Sequence, residues 1–468
     1  MIRFLLAAVV LTPLSPLTHA EHEGLPAKLP AAVGMSAKRL ETIDRVVTRG
    51  IKAGGFPGAA VVVGRKGATV LSRGFGNLGW TEESGAVVPE GTIYDLDSLT
   101  EVIGTKTAVM ILYDERKIDL DAPVSTYIPE FTGDGKENVT IRMLLEHRSG
   151  LPAGRDLWRI AHTPEEARAA VISTSLFARP GQYYEYSDLG ADMLGFTVEA
   201  ITGEKLDKFL ERRVFKPLGM EDTQFRPDPS LKGRIAPTEL TPPRGYPIRG
   251  EVHDENAFTL GGVAGHAGLF STASDLSIFA QMMLNGGTFN GTRIVADSTV
   301  ALFTRRAAGT RALGWDTCAS EHGGCGAHLG ESAFGHTGFT GTSLWIDPER
   351  EMFVILLTNR VYAAKARRPS KVIADVRADL ADASALAVTD IAGGPIAMPA
   401  KFRADKAVDW QKPERKKRAK HTSSKAHKST AKSGAAKSGK SKSASSSTKK
   451  KAAARAAASK KSTKKHTS

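Results

Sequence analysis

Apolar and polar positions in the first hundred residues change from a helical to a strand-like spacing. Between residues 40 and 51 an apolar side chain recurs every three or four positions, and Ser36 precedes this segment as an N-cap. The runs Gly58–Gly64 and Ala68–Arg73 are rich in apolar and β-branched residues and are separated by a short turn that ends in glycine. The pattern therefore predicts a helix followed by a β-hairpin.

The later part of the chain shows helical spacing first and strand-like runs afterwards. We predict helices over Ser98–Arg116, Asp188–Ile201 and Ser370–Leu386, and strands over Thr342–Asp347 and Met352–Asn359. Strands thus occur near both ends of the chain, whereas helices and loops fill its middle. We expect an α/β sandwich whose antiparallel sheet is built from both ends of the domain, together with a helical region.

Charge divides the chain into two parts of different character. Lys and Arg number 64 against 50 Asp and Glu, but residues 411–468 hold 20 of the basic residues and one acid, Glu414. The remainder is mildly acidic, and 41% hydrophobic residues allow a large core. We therefore expect a globular domain at 21–400 and a basic tail at 401–468. Nucleic-acid binding through a basic face of the domain itself is not expected.

The first twenty residues have the pattern of a secretory signal peptide. Arg3 precedes the apolar run Phe4–Leu11, and Ala20 provides a small residue at the cleavage point. We expect the mature chain to start near Glu21 and to be exported, to the periplasm or the medium. The mature chain contains no run of the roughly 18 apolar residues that a membrane span requires.

The basic tail consists mainly of Lys, Ser, Ala and Thr. Such a composition buries too little apolar surface to offset its ordering entropy, so we expect the tail to be disordered in isolation. Its charge suits an anionic polymer such as the cell envelope, lipid headgroups or DNA, bound through residues 411–468. A solvated tail without a specific partner is the alternative.

The chain has two cysteines, Cys318 and Cys325, in a glycine-rich segment. In an oxidising compartment they could close a small disulfide loop, and two free thiols are the alternative. The paired Cys-x-x-Cys spacing of a zinc site is missing, and the adjacent polar residues His253–Asn256 cannot all converge on one ion. No metal is predicted.

Three stretches could carry chemistry. They are Tyr94–Glu101 (YDLDSLTE), Tyr184–Gly190 (YEYSDLG) and Gly335–Gly341 (GHTGFTG). At these residues the sequence resembles the serine β-lactamase and penicillin-binding-protein superfamily, in the branch around class C β-lactamases, D,D-peptidases and related esterases. Supporting matches occur in order between them, at Ile118–Val124, Leu144–Pro152, Pro217–Met220 and Gly268–Ala273, and the resemblance extends from about Ser36 to Asn359.

The resemblance implies acyl transfer by a serine at a helix N-terminus, without a cofactor. Carried over by position, Ser98 would be the nucleophile, Tyr186 the base and His336 the basic residue of the third motif. The N–H groups of Ser98 and Phe339 would form the oxyanion hole. The residues that would bind substrate are Asp188, Thr337 and Gly338, with Asp188 replacing the more usual asparagine.

The sequence departs from the family pattern at one catalytic position. The first motif of the family is Ser-x-x-Lys, but the fourth position here is Glu101. Lys106 lies roughly 12 Å further along a helix from Ser98 and cannot simply take over. Three interpretations stay open: a hydrolase with a weakened Ser98, a silent site in which Ser98 and Glu101 form a capping box, and Glu101 itself as the base.

The leading hypothesis is an exported serine hydrolase that acts by acyl transfer on a β-lactam, a D-alanyl peptide of the peptidoglycan type or a small ester. Glu101 should make this activity slow, and the substitution Glu101→Lys should raise acylation if the rest of the site is intact. The alternatives are a silent member of the fold that binds cell-wall peptides or a partner, and a protein that acts through its basic tail.

Overall fold

The structure is a computed structural model that describes residues 24–239, 244–307, 309–319, 324–406 and 410. The predicted signal peptide and residues 411–468 lie outside the described residues. The chain divides into two units, with a boundary after Pro413. All described residues belong to the first unit.

The helices of this unit are, in chain order, α1 Ala37–Leu40, α2 Thr42–Lys52, α3 Lys106–Asp114, α4 Ile141–Leu145, α5 Leu157–Ile160, α6 Pro164–Ser173, α7 Asp188–Thr202, α8 Leu206–Leu210, α9 Lys216–Leu218, α10 Glu255–Thr259, α11 Ala273–Leu284, α12 Asp297–Thr304, α13 Pro369–Leu386 and α14 Arg403–Lys406. The strands are β1 Gly58–Arg65, β2 Ala68–Gly76, β3 Tyr94–Asp95, β4 Gln224–Phe225, β5 Leu269–Ser271, β6 Thr288–Phe289, β7 Thr292–Arg293, β8 Asp316–Thr317, β9 Phe334–Thr337, β10 Ser343–Asp347 and β11 Met352–Thr358. The predicted helices Asp188–Ile201 and Ser370–Leu386 and the two predicted strands are therefore confirmed, with ends that differ by at most one residue. The predicted helix Ser98–Arg116 is helical, but its first part is a π-helical turn over Glu101–Thr105 and α3 starts only at Lys106.

The main sheet has six antiparallel strands in the order β2-β1-β11-β10-β9-β8. β1 pairs with β11 over seven residues, from Ala59 opposite Thr358 to Arg65 opposite Met352. The sheet is thus built from both ends of the domain, and the predicted α/β architecture with an antiparallel sheet is confirmed. The short strands β3, β5 and β4 form a separate sheet beside the site.

Each face of the main sheet buries its own hydrophobic cluster. Alternate residues of β1 divide between the clusters, since Val62 packs on the side of the helical region while Val61 and Val63 pack on the other side. β11 alternates in the same way, and its side chains are buried along its whole length. A strand buried on both faces contains a continuous run of apolar residues, because neither face meets water. The helices α2 and α13, which come from opposite ends of the domain, cover the second face.

The folded body extends beyond residue 400, where we expected the basic tail to begin. Phe402 and Trp410 are buried in the cluster under α2 and α13, and the Trp410 indole N–H donates to Asp375 at 2.9 Å. The amides of Arg403 and Ala404 donate to the carboxylate of Asp379 in α13. These apolar anchors fasten the last turn to the body although the local composition is basic.

The turn after β9 lies directly against the segment that precedes Ser98. A Cβ atom placed on Gly338 would lie 2.4 Å from the Leu96 carbonyl oxygen and 2.3 Å from Thr342 Oγ1. The Thr342 hydroxyl donates to that same Leu96 oxygen at 2.9 Å. Close approach at Gly338 therefore holds the third motif against the first.

Gly338→Ala should destabilise the protein by about 1–3 kcal/mol, because the methyl group would push two backbone segments apart. Urea unfolding with a linear extrapolation measures this loss. Gly233→Ala is the matched control, since a Cβ atom there meets no atom within 4 Å. Equal stability of the two variants would show that the contact at Gly338 is not tight.

Candidate active site

Ser98 follows the short strand β3 and lies at the start of the helical segment that leads into α3. Asp97, the residue before it, adopts a left-handed conformation with φ 51°, and its amide donates to Asp95 Oδ1 at 2.9 Å. Aspartate tolerates this conformation better than most residues because its side chain bonds locally. In this turn both the amide and the hydroxyl of Ser98 point toward the Asp97 carboxylate.

The carboxylate of Asp97 lies between the backbone amides of Ser98 and Phe339. Its Oδ1 atom accepts from the Ser98 amide at 2.7 Å, from the Ser98 hydroxyl at 2.8 Å and from the Phe339 amide at 3.1 Å. These two amides are the pair that the sequence placed in the oxyanion hole. The structure thus brings them together, but around an internal carboxylate.

Glu101 faces Tyr186 from the second motif. The Tyr186 hydroxyl donates to Glu101 Oε1, and the Glu101 side chain is buried while Tyr186 is half-buried. Burial, followed by the negative charge of Glu101, raises the pKa of Tyr186 well above its usual value, while the nearby Ser98 hydroxyl opposes this. Tyr186 is therefore a neutral phenol that lies next to both Ser98 and Glu101.

Lys106 supplies the positive charge that balances Glu101. Its Nζ lies 2.5 Å from Glu101 Oε2 and donates to the Gly314 carbonyl at 2.8 Å, and neither charged side chain is exposed. Residues Glu101–Thr105 form a π-helical turn in which the Lys106 amide bonds to the Glu101 carbonyl. A π turn places residue i+5 above residue i, so the two side chains share a face that an α-helix would separate.

His147 links a supporting motif to the site. Its Nδ1 accepts from the Ser187 amide at 3.1 Å, its carbonyl accepts from the Glu185 amide, and its ring lies 4.6 Å from that of Tyr186. Burial, then the nearby cations, lowers its pKa well below the usual value. The ring is therefore neutral with its proton on Nε2, which lies 3.6 Å from Glu101 Oε2. The match at Leu144–Pro152 thus serves to hold the second motif in place.

His336 lies on strand β9 beside Tyr186, and the centroids of the two rings are 6.0 Å apart. Its Nδ1 donates to the Thr337 carbonyl at 3.0 Å, so Nε2 carries a lone pair, and this buried atom has no partner among the described residues. Burial and the nearby Arg311 lower its pKa well below the usual range. A neutral histidine therefore stands where the family has a basic residue.

A second buried ion pair lies on the other side of Tyr186. The Arg311 guanidinium bonds to Asp316 on β8, and it also donates to the Tyr184 hydroxyl at 3.2 Å. Its carbon Cζ is 5.7 Å from the centre of the Tyr186 ring. The charged groups around Tyr186 thus include the cations of Lys106 and Arg311 and the carboxylates of Glu101 and Asp316.

Asp188 begins α7 at the edge of the cleft. Ser187 caps this helix by accepting from the Gly190 amide at 3.1 Å, and the Asp188 amide donates to the Ala153 carbonyl at 2.8 Å. Burial raises the pKa of the Asp188 carboxyl to about 7. Near neutral pH this group can therefore carry a proton and donate, as the amide of the usual asparagine does.

α7 is fastened to the next wall of the cleft by His266. Its Nδ1 lies 2.7 Å from Asp192 Oδ1 and its Nε2 lies 2.9 Å from Asp254 Oδ1. Burial lowers the pKa of this imidazole, but the two carboxylates together raise it well above the usual value. His253, beside Asp254, stacks on Phe339 at 6.0 Å. This segment therefore borders the third-motif turn.

The capping-box interpretation of Ser98 and Glu101 is wrong. The Ser98 amide donates to Asp97, and the Glu101 carboxylate is bound by Lys106 and Tyr186 instead. Sequence reasoning did not identify Asp97 as a residue of the site. It also missed Arg311, for which the sequence contains no motif.

Thr337 lies at the end of β9, and both backbone polar groups of Gly338 bond to protein atoms.

Cys318 and Cys325 are joined in a disulfide, with Cα atoms 5.7 Å apart. Within the described ranges no cluster of three His, Cys, Asp or Glu side chains is arranged to hold a metal ion. The same residues include no helix with the length and apolar character of a membrane span.

Comparison with known sequences places this site in a family. A sequence profile described as Beta-lactamase matches residues 43–378. Relatives from Salmonella agona (strain SL483) and Salmonella schwarzengrund (strain CVM19633), both named "Putative D-alanyl-D-alanine carboxypeptidase", are 34% identical over 403 residues. The matches cover 78% of this chain and 93% of each relative. The chain therefore belongs to the Beta-lactamase family, within the superfamily of serine β-lactamases and penicillin-binding proteins.

Solved structures share the fold at lower sequence identity. A penicillin-binding protein homolog from Caulobacter crescentus has a TM-score of 0.60 and 19% identity, covering 75% of this chain and 99% of that one. EstCE1, a hydrolase with promiscuous acyltransferase activity, has a TM-score of 0.59 and 22% identity, covering 73% and 98%. These similarities establish the fold of the domain.

Asp188→Asn should stabilise the protein at pH 8 and lose this advantage as the pH falls toward 4. The raised pKa of Asp188 means that the folded state holds a proton that the unfolded state has released between about pH 4 and 7. The stability of the wild type therefore falls as the pH rises through this window. The Asp188→Asn variant has no proton to lose and does not show this fall. Urea unfolding at pH 4.5, 6 and 8 tests this, with the exposed Glu137→Gln as control. A constant difference across pH would contradict it.

Proposed function

We propose that the protein is a serine acyl hydrolase in which Ser98 attacks a D-alanyl peptide, a β-lactam or a small ester. The observation that carries this proposal is the position of one oxygen atom. Asp97 Oδ1 lies 2.7 Å and 3.1 Å from the amides of Ser98 and Phe339, which is the separation that an oxyanion requires from its donors. This spacing supports an oxyanion hole at the two amides, and the family and the names of its relatives support this class of reaction.

Proton transfer follows the chain of contacts behind Ser98. As Ser98 Oγ bonds to the substrate carbonyl carbon, its proton passes to Tyr186 Oη while the phenolic proton passes to Glu101 Oε1. When the tetrahedral intermediate collapses, the carbon–nitrogen or carbon–oxygen bond breaks and the proton returns along the same path to the leaving group. Water then hydrolyses the acyl-enzyme with the same residues. Tyr186 thus transmits a proton without becoming a free phenolate.

Asp97 has to leave the hole before this reaction can occur. Its carboxylate competes with the developing oxyanion for the same two amides, and like charges at this distance repel. Two buried guanidinium groups, Arg360 and Arg377, are close enough for the charge of Asp97 to raise their pKa against the lowering caused by burial. We therefore interpret Asp97 between the two amides as a resting state, and we expect the activity to be slow.

Incubation of the purified protein with a penicillin, followed by intact-mass measurement, should give a slow covalent adduct that is missing in Ser98→Ala. Asp97→Gly should raise the rate of adduct formation by about 10²-fold, because both amides become free. Glycine also accepts the positive φ of this position. Asp97→Asn is the matched control, since it keeps an occupant in the hole but removes the charge.

The occupied hole also supports a second candidate function. A member of the fold that binds cell-wall peptides without cleaving them would keep Asp97 in place when a ligand is bound. In that case neither the wild type nor Asp97→Gly forms an adduct, and a D-alanyl-D-alanine peptide still raises the melting temperature of the wild type. An adduct at Ser98 in either protein would exclude this candidate.

We propose further that the chain is exported and that its basic tail retains it on an anionic envelope polymer. The signal-like first twenty residues and the 20 basic residues of 411–468 support this proposal. Deletion of 411–468 should abolish retention on envelope preparations at low salt, while retention of the full chain should fall steeply as salt rises. Equal retention of both proteins would count against the tail.

A further inference from the structure

Glu101 and Lys106 are bound to each other in a fully buried space. Nζ of Lys106 lies 2.5 Å from Glu101 Oε2, and the exposed fraction of both side chains is 0%. Removal of one partner from a buried ion pair leaves an uncompensated charge, which costs far more than removal of both. The two residues should therefore behave as one unit.

The surrounding backbone accommodates this particular pair. The π-helical turn over Glu101–Thr105 rotates Lys106 onto the face of Glu101, and Gly314 accepts a second hydrogen bond from the ammonium at 2.8 Å. A Cβ atom on Gly314 would lie 2.3 Å from Lys106 Cδ, so only glycine leaves room for the lysine side chain. Helix geometry and the neighbouring loop thus both fit a lysine at position 106.

Several other ionisable groups face this unit from the elements packed around it. They are His147 after α4, Tyr186 and Asp188 at the start of α7, Arg311 and Asp316 at β8, and His336 on β9. Arg311 and Asp316 neutralise each other, and the two histidines are neutral. Lys106 is therefore the cation in direct contact with Glu101 among the described residues.

We propose that Glu101 and Lys106 together replace the single lysine of the family motif, with Lys106 as the positioning residue that holds the Glu101 carboxylate against Tyr186. This inference rests on the proposed function of Ser98. Lys106 does not itself reach the nucleophile. It acts through Glu101, which accepts the proton that Tyr186 relays from Ser98.

The pairing of Glu101 with Lys106 changes the effect expected when the Ser-x-x-Lys motif is restored by Glu101→Lys. Glu101→Lys alone would place two ammonium groups in one buried space, so it should not raise acylation above the wild-type rate. Lys106→Met should lower acylation by a penicillin about 10²-fold or more, because an unpaired buried carboxylate ionises only at higher pH. The double variant Glu101→Lys/Lys106→Met leaves one ammonium beside Tyr186 and should acylate at least tenfold faster than the wild type.

The experiment compares these three variants with the wild type, Ser98→Ala and the exposed control Lys117→Met, by intact mass, pH profile and melting temperature. The acid limb of the acylation profile should move to higher pH in Lys106→Met and stay unchanged in Lys117→Met. Both single variants at the pair should melt well below the wild type, and the double variant should recover most of the loss. This recovery keeps the test informative even where a single variant folds poorly.

The outcomes separate this inference from the proposed function. A Ser98 adduct that forms in Lys106→Met at the wild-type rate and with an unchanged pH profile would overturn the inference and leave the hydrolase intact. A faster reaction of Glu101→Lys alone would also overturn it. If no protein forms a Ser98 adduct, including the double variant, the hydrolase proposal fails. The melting temperatures then decide the pairing itself, and additive losses would contradict it.

Discussion

A carboxylate without water around it has to be paired, hydrogen-bonded or protonated, and this constraint determines the arrangement around Ser98. Two carboxylates, those of Asp97 and Glu101, lie near Ser98, and each meets this constraint in a different way. Glu101 is bound by an ammonium and a phenol, whereas Asp97 is bound by two backbone amides and a hydroxyl. The positions of Lys106, Tyr186 and the third-motif turn are therefore coupled through charges rather than through packing alone.

This coupling gives the cleft two opposite properties. The donors that would stabilise a transition state are rigid, because one set belongs to a helix start and the other to a turn packed against Leu96. The same rigidity stabilises Asp97 where it competes with substrate. A preorganised hole cannot distinguish an internal carboxylate from a reacting carbonyl oxygen, since both present a partly or fully charged oxygen at the same point.

The fold could be predicted from the sequence because its signals are local. Runs of apolar and β-branched residues predicted the strands β1 and β11, and helical spacing predicted α7. The order of the three motifs brought Ser98, Tyr186 and Phe339 to one cleft. These predictions needed only periodicity, capping and motif order.

The remaining features depend on contacts that spacing does not reveal. In a regular α-helix Lys106 would lie on a different face from Glu101. The π-helical turn over Glu101–Thr105 brings the two residues onto the same face. The charge of Asp97 was visible in the sequence, but its role required the position of Phe339, more than two hundred residues away. The end of the body was placed too early because two apolar anchors, Phe402 and Trp410, stand in a segment of basic composition.

The pairing of β1 with β11 also governs when the chain can fold during its synthesis. Ala59 is opposite Thr358, so nearly three hundred further residues are synthesised after β1 before β11 exists. Contacts of such large sequence separation make folding slow, because loop closure precedes any gain from pairing. The emerging polypeptide can pair β1 with β2 at once, but the other edge of β1 stays open until the domain is almost complete. During this interval a chaperone would meet β1 with that edge exposed.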